Sequence, residues 1–312
     1  MSEGNCIVVF VYTGFERIDL RTVLRSVKKF ASEVFVIEAS CHVETIEMAK
    51  VFGVRVLHPP LECEARQFQW ALDTVAITAD WIMLLRAGEF VEADLVASIR
   101  LSLAAMPEDI TGVYLNRKVT FQGKRIRWGG ECPMWVLRLW RAGKETVEDR
   151  WTGEYVQLAE GRRARFPVSS SINVQWNADS LAQTSILAAS WEALETLRRR
   201  LRVNQCVRGN NWLQRMLVDH VPYILCAAAA FFYRYIILLG FLDRRAGLTY
   251  FLIRFFGYQL LVGANLKQFE GTLGRVTDEG EASRKLQALA DRIAAHKRES
   301  DDVSTAYRDL LR

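Results

Sequence analysis

An arginine and a glutamate, Arg86 and Glu89, stand where an apolar run ends. The stretch is DWIMLLRAGEFV, residues 80 to 91. Trp81 to Leu85 read as a buried strand, and Ala87 and Gly88 break it and release the two charges. Charges presented at the end of a strand in an α/β sheet mark a ligand site. A site for a divalent cation would carry carboxylates there, because hard cations take oxygen ligands. Arginine offers a planar fork of donors instead, which pairs with phosphate or carboxylate oxygens. Three further carboxylates, Glu148, Asp149 and Glu154, lie close together in sequence and could take a proton from a hydroxyl. For Asp149 a helix cap or a salt bridge to Arg150 is the plain structural alternative. His42, His58, His220 and His296 do not cluster, so no metal is assigned to them. The six cysteines lie far apart without a Cys-x-x-Cys pair, which indicates reduced thiols rather than a zinc site or a disulfide framework.

These residues need a scaffold, and the first part of the chain supplies an alternation. CIVVFVY, EVFVIEA, VRVLHPP and DWIMLL read as strands, the first an apolar run of the kind buried on both faces. DLRTVLRSVKKF, VETIEMAKVFG and ARQFQWALDTV read as the helices between them, with Leu20, Val23, Leu24 and Val27 on one face. Strand-helix repetition at this spacing implies a parallel sheet covered by helices, with ligands beyond the carboxyl ends of the strands. The loops at Thr13-Gly14, Ala39 to Val43 and Arg86 to Glu89 lie on that edge. Past the helix EADLVASIRLSLAAM, residues 112 to 175 mix short strands with Gly, Trp and Arg and read as an antiparallel extension of the sheet. From about Ser180 the chain reads as helical.

Two apolar stretches, 221–242 and 247–264, follow, with Arg234 and Arg254 inside them. Each is near the length that spans a bilayer, about 20 residues. A central arginine costs about 2.5–3.5 kcal/mol on insertion scales, so helices lying in the membrane interface fit better than spanning ones. The alternative is a core hairpin in a soluble protein. Between Arg198 and Tyr258 there are ten arginines, no lysine, no glutamate and two aspartates, a local charge of +8 against +5 for the whole chain. The run from Arg198 to Arg208 suits anionic lipid headgroups. Nucleic acid is not expected, since no recognition module or interleaved aromatics accompany it. In the tail, Leu286, Leu289 and Ile293 mark an amphipathic helix that would pack on the body, a second copy or a partner. The start, MSEGNCIVVFVY, lacks the pattern of a secretory signal. The expected organisation is residues 1–180 as the sheet domain, 181–270 as a helical membrane-associating region and 271–312 as a polar tail.

Four stretches carry a likeness to a known family: LRSVKKFASEVFVIEAS, AKVFGVRVLHPPLECEARQFQWALDTVAITADWIMLL, IRWGGECPMWVLRLWRAGKETVEDRWTGEYV and RYIILLGFLDRRAGLTYFLIRFFGYQLLVGANL. The chain resembles family 2 glycosyltransferases of the GT-A fold, in the branch that builds lipopolysaccharide core and other surface glycans. The resemblance implies a Rossmann-like mixed sheet flanked by helices, a sugar-nucleotide donor, a divalent metal, inversion at the anomeric carbon and a lipid-linked or glycan acceptor. Given the arginine-rich apolar stretches and no secretory pattern at the start, the expected location is the cytoplasm, peripheral on the cytoplasmic face of the inner membrane.

The chain departs from that family at the site. Arg86 and Gly88 occupy the two positions of the usual Asp-x-Asp, and only Glu89 beside them is acidic. Glu38 and Val43 replace two aspartates after the second strand, Glu16 is displaced in the first loop, and Gly153 precedes the retained Glu154. No metal cofactor is therefore expected, although the family uses one. The resemblance makes Tyr12, Glu38, Arg66, Arg86 and Glu89 the candidates for holding the sugar nucleotide, and Glu154 and Asp149 the candidate catalytic bases. Arg86 either clamps a diphosphate or seals the former metal pocket by pairing with Glu89 or Glu38. Trp128 and Trp135 stack on acceptor sugar rings or serve as core or sheet-edge residues. Arg138 and Arg141 reach phosphate or alternate outward on a strand whose Leu137 and Leu139 point inward. Two functions fit, a metal-independent glycosyltransferase or a non-catalytic subunit that holds a partner enzyme or a lipid-linked glycan. A third, a soluble nucleotide-binding protein, is disfavoured by the hydrophobicity of 221–264.

Overall fold

The computed structural model describes residues 6–13, 20–39, 42–60, 62–152, 155–201, 223–274 and 279–310. Strands β1 (Ile7–Tyr12), β2 (Glu33–Ile37), β3 (Arg55–Leu57) and β4 (Trp81–Arg86) alternate with helices α1 (Leu20–Val27), α2 (Val43–Phe52) and α3 (Glu64–Thr74). All six residues of β1 are buried. Val8, Phe10 and Tyr12 enter one core cluster, and Ile7, Val9 and Val11 enter another on the opposite face. A strand with two covered faces can hold no polar alternation, which is why its sequence is one continuous apolar run.

After β5 (Glu89–Val91) and helix α4 (Ala93–Ser102), the 12-residue β6 (Ile110–Phe121) begins the second half. It is followed by β7 (Lys124–Ile126), β8 (Met134–Arg141), β9 (Glu145–Val147), β10 (Val156–Leu158), β11 (Arg162–Arg165) and β12 (Ser171–Trp176). The main sheet runs β3-β2-β1-β4-β8-β6-β12-β5, with β7 and β11 also on β6, while β9 and β10 form a separate hairpin. β1 to β4 pair in parallel, and β8 inserts antiparallel between β4 and β6. The expected antiparallel extension is thus mixed, because β6 pairs in parallel with β11 and β12.

Helix α5 (Ala178–Arg200) opens the helical region with a capping box between Asn177 and Ser180. It is followed by α6 (Tyr223–Phe232), a wide turn at Tyr233–Ile237, a short turn at Gly240–Asp243, α7 (Arg244–Phe251), a second wide turn at Leu252–Gly257, α8 (Tyr258–Leu273) and α9 (Glu279–Leu310). Phe10, Trp140, Trp191, Leu266 and Leu286 belong to one buried cluster. The sheet, the helical region and the tail helix therefore share a core across the boundaries expected near residues 180 and 270. The tail's Leu286 and Leu289 are buried, and Ile293 packs against them. The fold is the expected mixed α/β sheet flanked by helices, with a helical C-terminal region.

Candidate functional site

The site forms where β1 and β4 end. Tyr12 and Arg86 are register partners across these two strands. The chain then turns sharply: the amide of Ala87 donates to the Tyr12 carbonyl at 2.7 Å, and Gly88 takes a φ of +86°. That left-handed conformation favours glycine, which gives Gly88 a backbone reason for its place. The turn directs Glu89 inward, where it is 2% exposed.

Glu89 is fully engaged. Arg138 donates from Nε and Nη2 to its two oxygens at 3.1 and 3.2 Å, the Arg86 amide donates at 3.1 Å, and Arg117 Nη1 lies 3.8 Å away. Burial pushes the Glu89 carboxyl up, but the Arg138 and Arg117 guanidinium groups outweigh it and hold the group below the usual range. Arg138 itself is 1% exposed, so it neither reaches out to phosphate nor points to solvent, as either sequence-based expectation had it. The reason is a break in the alternation: Val113 pairs with Leu139 and Tyr114 with Leu137, so Arg138 is the extra residue of a bulge. Leu137 and Leu139 pack into clusters on opposite faces, and the guanidinium is buried against Glu89.

Arg86 pairs with neither Glu89 nor Glu38 through its Nε. That atom donates to Glu64 Oε1 at 2.8 Å, and the Tyr155 hydroxyl donates to the same oxygen at 3.0 Å. Glu64, in the first turn of α3, was not among the expected partners, while the oxygens of Glu89 are held by Arg138 and by the Arg86 amide. Burial, reinforced by Glu64, pushes the phenols of Tyr12 and Tyr155 up, so both remain protonated donors.

A cavity of about 390 Å³ opens beside this cluster. Three arginines from separate elements line it: Arg86 from β4, Arg117 from β6 and Arg254 from the wide turn before α8. Trp151, Trp176, Trp191, Tyr250 and Tyr258 supply its aromatic walls. The carboxylates on its lining are Glu64, Glu89 and Glu192, and each has an arginine partner, in order Arg86, Arg138 and Arg199. Arg254 is different. Its guanidinium lies 5.8 Å from the centre of the Tyr258 ring and has no carboxylate partner among the described residues.

The other candidates lie elsewhere. Arg66 and Asp149 pair with each other, Nε to Oδ1 at 2.9 Å, and Arg198 also reaches Asp149 at 3.1 Å. Arg150 pairs instead with Glu148. Burial pushes the Asp149 carboxyl up, and Arg66 and Arg198 more than reverse it, so Asp149 sits below the usual range and is a poor proton acceptor. Neither Arg66 nor Asp149 lines the cavity. Glu38 is buried and accepts from the Thr13 hydroxyl at 2.7 Å, also away from the cavity lining. Trp128 is 43% exposed, and Trp135 lies under the Arg165 guanidinium at 5.3 Å. Glu154, Gly14, Glu16, Gly153 and the arginines from 202 to 208 lie outside the described residues. Sequence reasoning missed Glu64, Arg117, Trp151, Trp176, Trp191 and, as a site residue, Arg254. The only available signal was Trp151 within the retained DRWTGEYV stretch.

The arrangement does not fit a divalent cation. Magnesium or manganese needs several oxygen ligands free to point at it. At the turn after β4 the one carboxylate is Glu89, both of whose oxygens are bound by Arg138, in a neighbourhood made positive by Arg86 and Arg117. Among the described residues, no group of three His, Cys, Asp or Glu side chains is placed to hold a metal.

No family model and no curated protein matches the chain. Among solved structures, it is similar to glucosyl-3-phosphoglycerate synthase from Mycobacterium tuberculosis in complex with phosphoglyceric acid, at 16% identity and a TM-score of 0.29, over 38% of this chain and 45% of that one. The same enzyme in complex with Mg²⁺ and uridine diphosphate gives 17% identity and a TM-score of 0.28, over 39% and 46%. A cytidylyltransferase from Leptospira borgpetersenii gives 16% identity and a TM-score of 0.30, over 44% of this chain and 59% of that one. The chain thus matches less than two thirds of the length of each. Likenesses of this size carry no argument about function, which must come from this chain's own residues.

Proposed function

We propose that the chain is a glycosyltransferase-like protein that holds a sugar nucleotide through arginine side chains, without a metal ion. The observation that carries this reading is the convergence of Arg86, Arg117 and Arg254 on one aromatic-walled cavity at the carboxyl ends of β1 and β4. In open α/β sheets ligands bind at that edge. A diphosphate needs positive charge and donors, which guanidinium groups supply bidentately. Tryptophan faces such as Trp151 and Trp176 suit the C–H faces of a pyranose ring. The GT-A resemblance adds the donor class, and its surface-glycan branch adds a lipid-linked acceptor.

A second reading, a binding subunit without transfer activity, is favoured by one observation. Each described carboxylate at the cavity is tied to an arginine, which leaves none of them free as a general base.

The test is calorimetric titration of UDP, GDP and CDP into the full chain and into Arg254→Ala. One of the three is expected to bind, and the variant is expected to bind it about ten- to a hundredfold more weakly, since a charged hydrogen bond contributes about 1.5–3 kcal/mol. Undiminished binding in the variant, or none in either protein, would overturn the arginine-lined site. Turnover of a sugar nucleotide by the wild type would remove the second reading.

A further inference from the structure

The surface with the strongest unexplained character is the tip of the C-terminal hairpin. Phe232, Tyr233, Ile236, Ile237, Phe241 and Leu242 are each between 43% and 67% exposed, and they follow one another within eleven residues. Phe232 and Ile236, like Tyr233 and Ile237, are four residues apart and share a side of the helix. Side chains of this size, contiguous and in water, mark a surface that is covered in use.

The tip is held in this attitude from behind. Arg234, the residue most costly to bring into lipid, turns inward: its guanidinium lies 4.0 Å from the Phe255 ring centre, with Nη1 3.0 Å from the Gly129 carbonyl and 3.4 Å from Glu131. Asp243 is occupied as well, accepting the amides of Arg127 and Trp128 at 3.1 and 3.0 Å. Phe251 is fully buried beside Gly129. At the tip, then, Arg234 and Asp243 face the protein while Phe232, Tyr233, Ile236 and Ile237 face out. At the edge, Arg244 and Arg245 are exposed and have no carboxylate partner among the described residues.

We infer that this tip docks on an anionic lipid bilayer, with its aromatic and aliphatic side chains in the interface and Arg244 and Arg245 among the headgroups. Apolar side chains beside unpaired arginines complement a surface that is apolar within and negative at its boundary. The segment Gly240–Leu273 is long and apolar enough to cross a membrane by length and composition. Crossing would strip Tyr250, Phe251, Val262 and Leu266 from the core, where each is buried, so the hairpin lies on the bilayer rather than through it. Leu248 and Leu252 face outward from the same segment whose Tyr250 and Arg254 line the cavity. The cavity is thus about one helix diameter, roughly 10–12 Å, from the lipid. The inference stands whatever that cavity holds.

The test is sedimentation of the full chain with large phosphatidylcholine vesicles, with and without phosphatidylglycerol, alongside analytical ultracentrifugation in their absence. Binding is expected to anionic vesicles and to weaken with salt. Arg244→Gln/Arg245→Gln is expected to lose about thirtyfold in partitioning, at the usual contribution of a basic residue near such a surface. Ile237→Ser/Phe241→Ser is expected to lose roughly tenfold or more on either vesicle. These residues are exposed, and an unchanged melting curve confirms that each variant folds. Failure of the wild type to sediment, or Ile237→Ser/Phe241→Ser binding like wild type, would overturn the inference. So would a soluble dimer that the same double variant dissociates, since the tip would then belong to a second copy.

Discussion

Replacing Glu89 by glutamine is the sharpest test of what this residue does. Glu89 and Arg138 are 2% and 1% exposed, and both carboxylate oxygens accept from the guanidinium at 3.1 and 3.2 Å. At an effective dielectric of about 20, two unit charges about 3.5 Å apart attract by about 5 kcal/mol. Removing one partner of a buried pair costs about 3–5 kcal/mol, because the other charge stays in the interior without water. Glutamine keeps one acceptor oxygen, which places Glu89→Gln near the lower end, about 3 kcal/mol. For a chain of 312 residues, at about 2.1 cal/mol/K of unfolding entropy per residue, that is a fall in melting temperature of about 4–5 °C. Thermal melting at pH 7 followed by circular dichroism reads it directly. Replacing both partners, as Glu89→Leu/Arg138→Met, is expected to recover part of the loss, since the Arg138 charge is no longer stranded while Arg117, 3.8 Å from Glu89, still loses its carboxylate. A Glu89→Gln protein that melts within about 1 °C of wild type would refute the reasoning. It would mean that the carboxylate is not committed to Arg138 and is free to ligate a metal.

Two further outcomes follow from the same contacts. Glu89 and Asp149 are both held below the usual carboxylate range, so their contribution is complete above the unfolded-state value of about 4 and is lost as pH falls through the folded-state value. Glu195, pushed up by burial, has the opposite sign and is relieved by protonation. Glu92 and Asp109 are lowered as well, so with four carboxylates against one the melting temperature is expected to be flat from about pH 7 to 5 and to fall below about pH 4, and a rise on acidification would contradict this. Gly129→Ala is expected to destabilise by about 2–4 kcal/mol in urea unfolding, through overpacking and a left-handed backbone. Gly129 has φ +70°, and an added Cβ would sit 2.1 Å from Cζ of Phe251, which is fully buried and has no room to swing.

The first half of the sheet was legible because β1, β2 and β4 are buried on both faces and leave unbroken apolar runs in the sequence. The parallel pairing of β12 with β6 was not, since Ser171 meets Asn116 across 55 positions and no local pattern encodes that register. The same limit hid most of the cavity. Glu64 reads as an ordinary first-turn acid of a helix, Arg117 as a polar residue of a strand and Arg254 as a charge inside an apolar stretch. Only the tertiary fold brings them to one wall. Arg138 misled for a related reason: simple strand alternation puts Leu137 and Leu139 on one face, whereas a bulge at Arg138, set by the distant partner β6, puts them on opposite faces. Position 86 stood out in the sequence by its type, while Glu64, which accepts from its Nε, lay 22 residues away on another element.

The central claim is that positive side chains have taken the place of a cation beside β4, and titrating the nucleoside diphosphate that binds, once with manganese and once with a chelator, tests it most directly. Equal affinity in the two titrations is the result expected from Arg86, Arg117 and Arg254 facing the ligand with Glu89 locked on Arg138. Affinity that rises about tenfold or more with manganese, and that Glu89→Gln abolishes, would show a metal seated at that carboxylate and contradict the account.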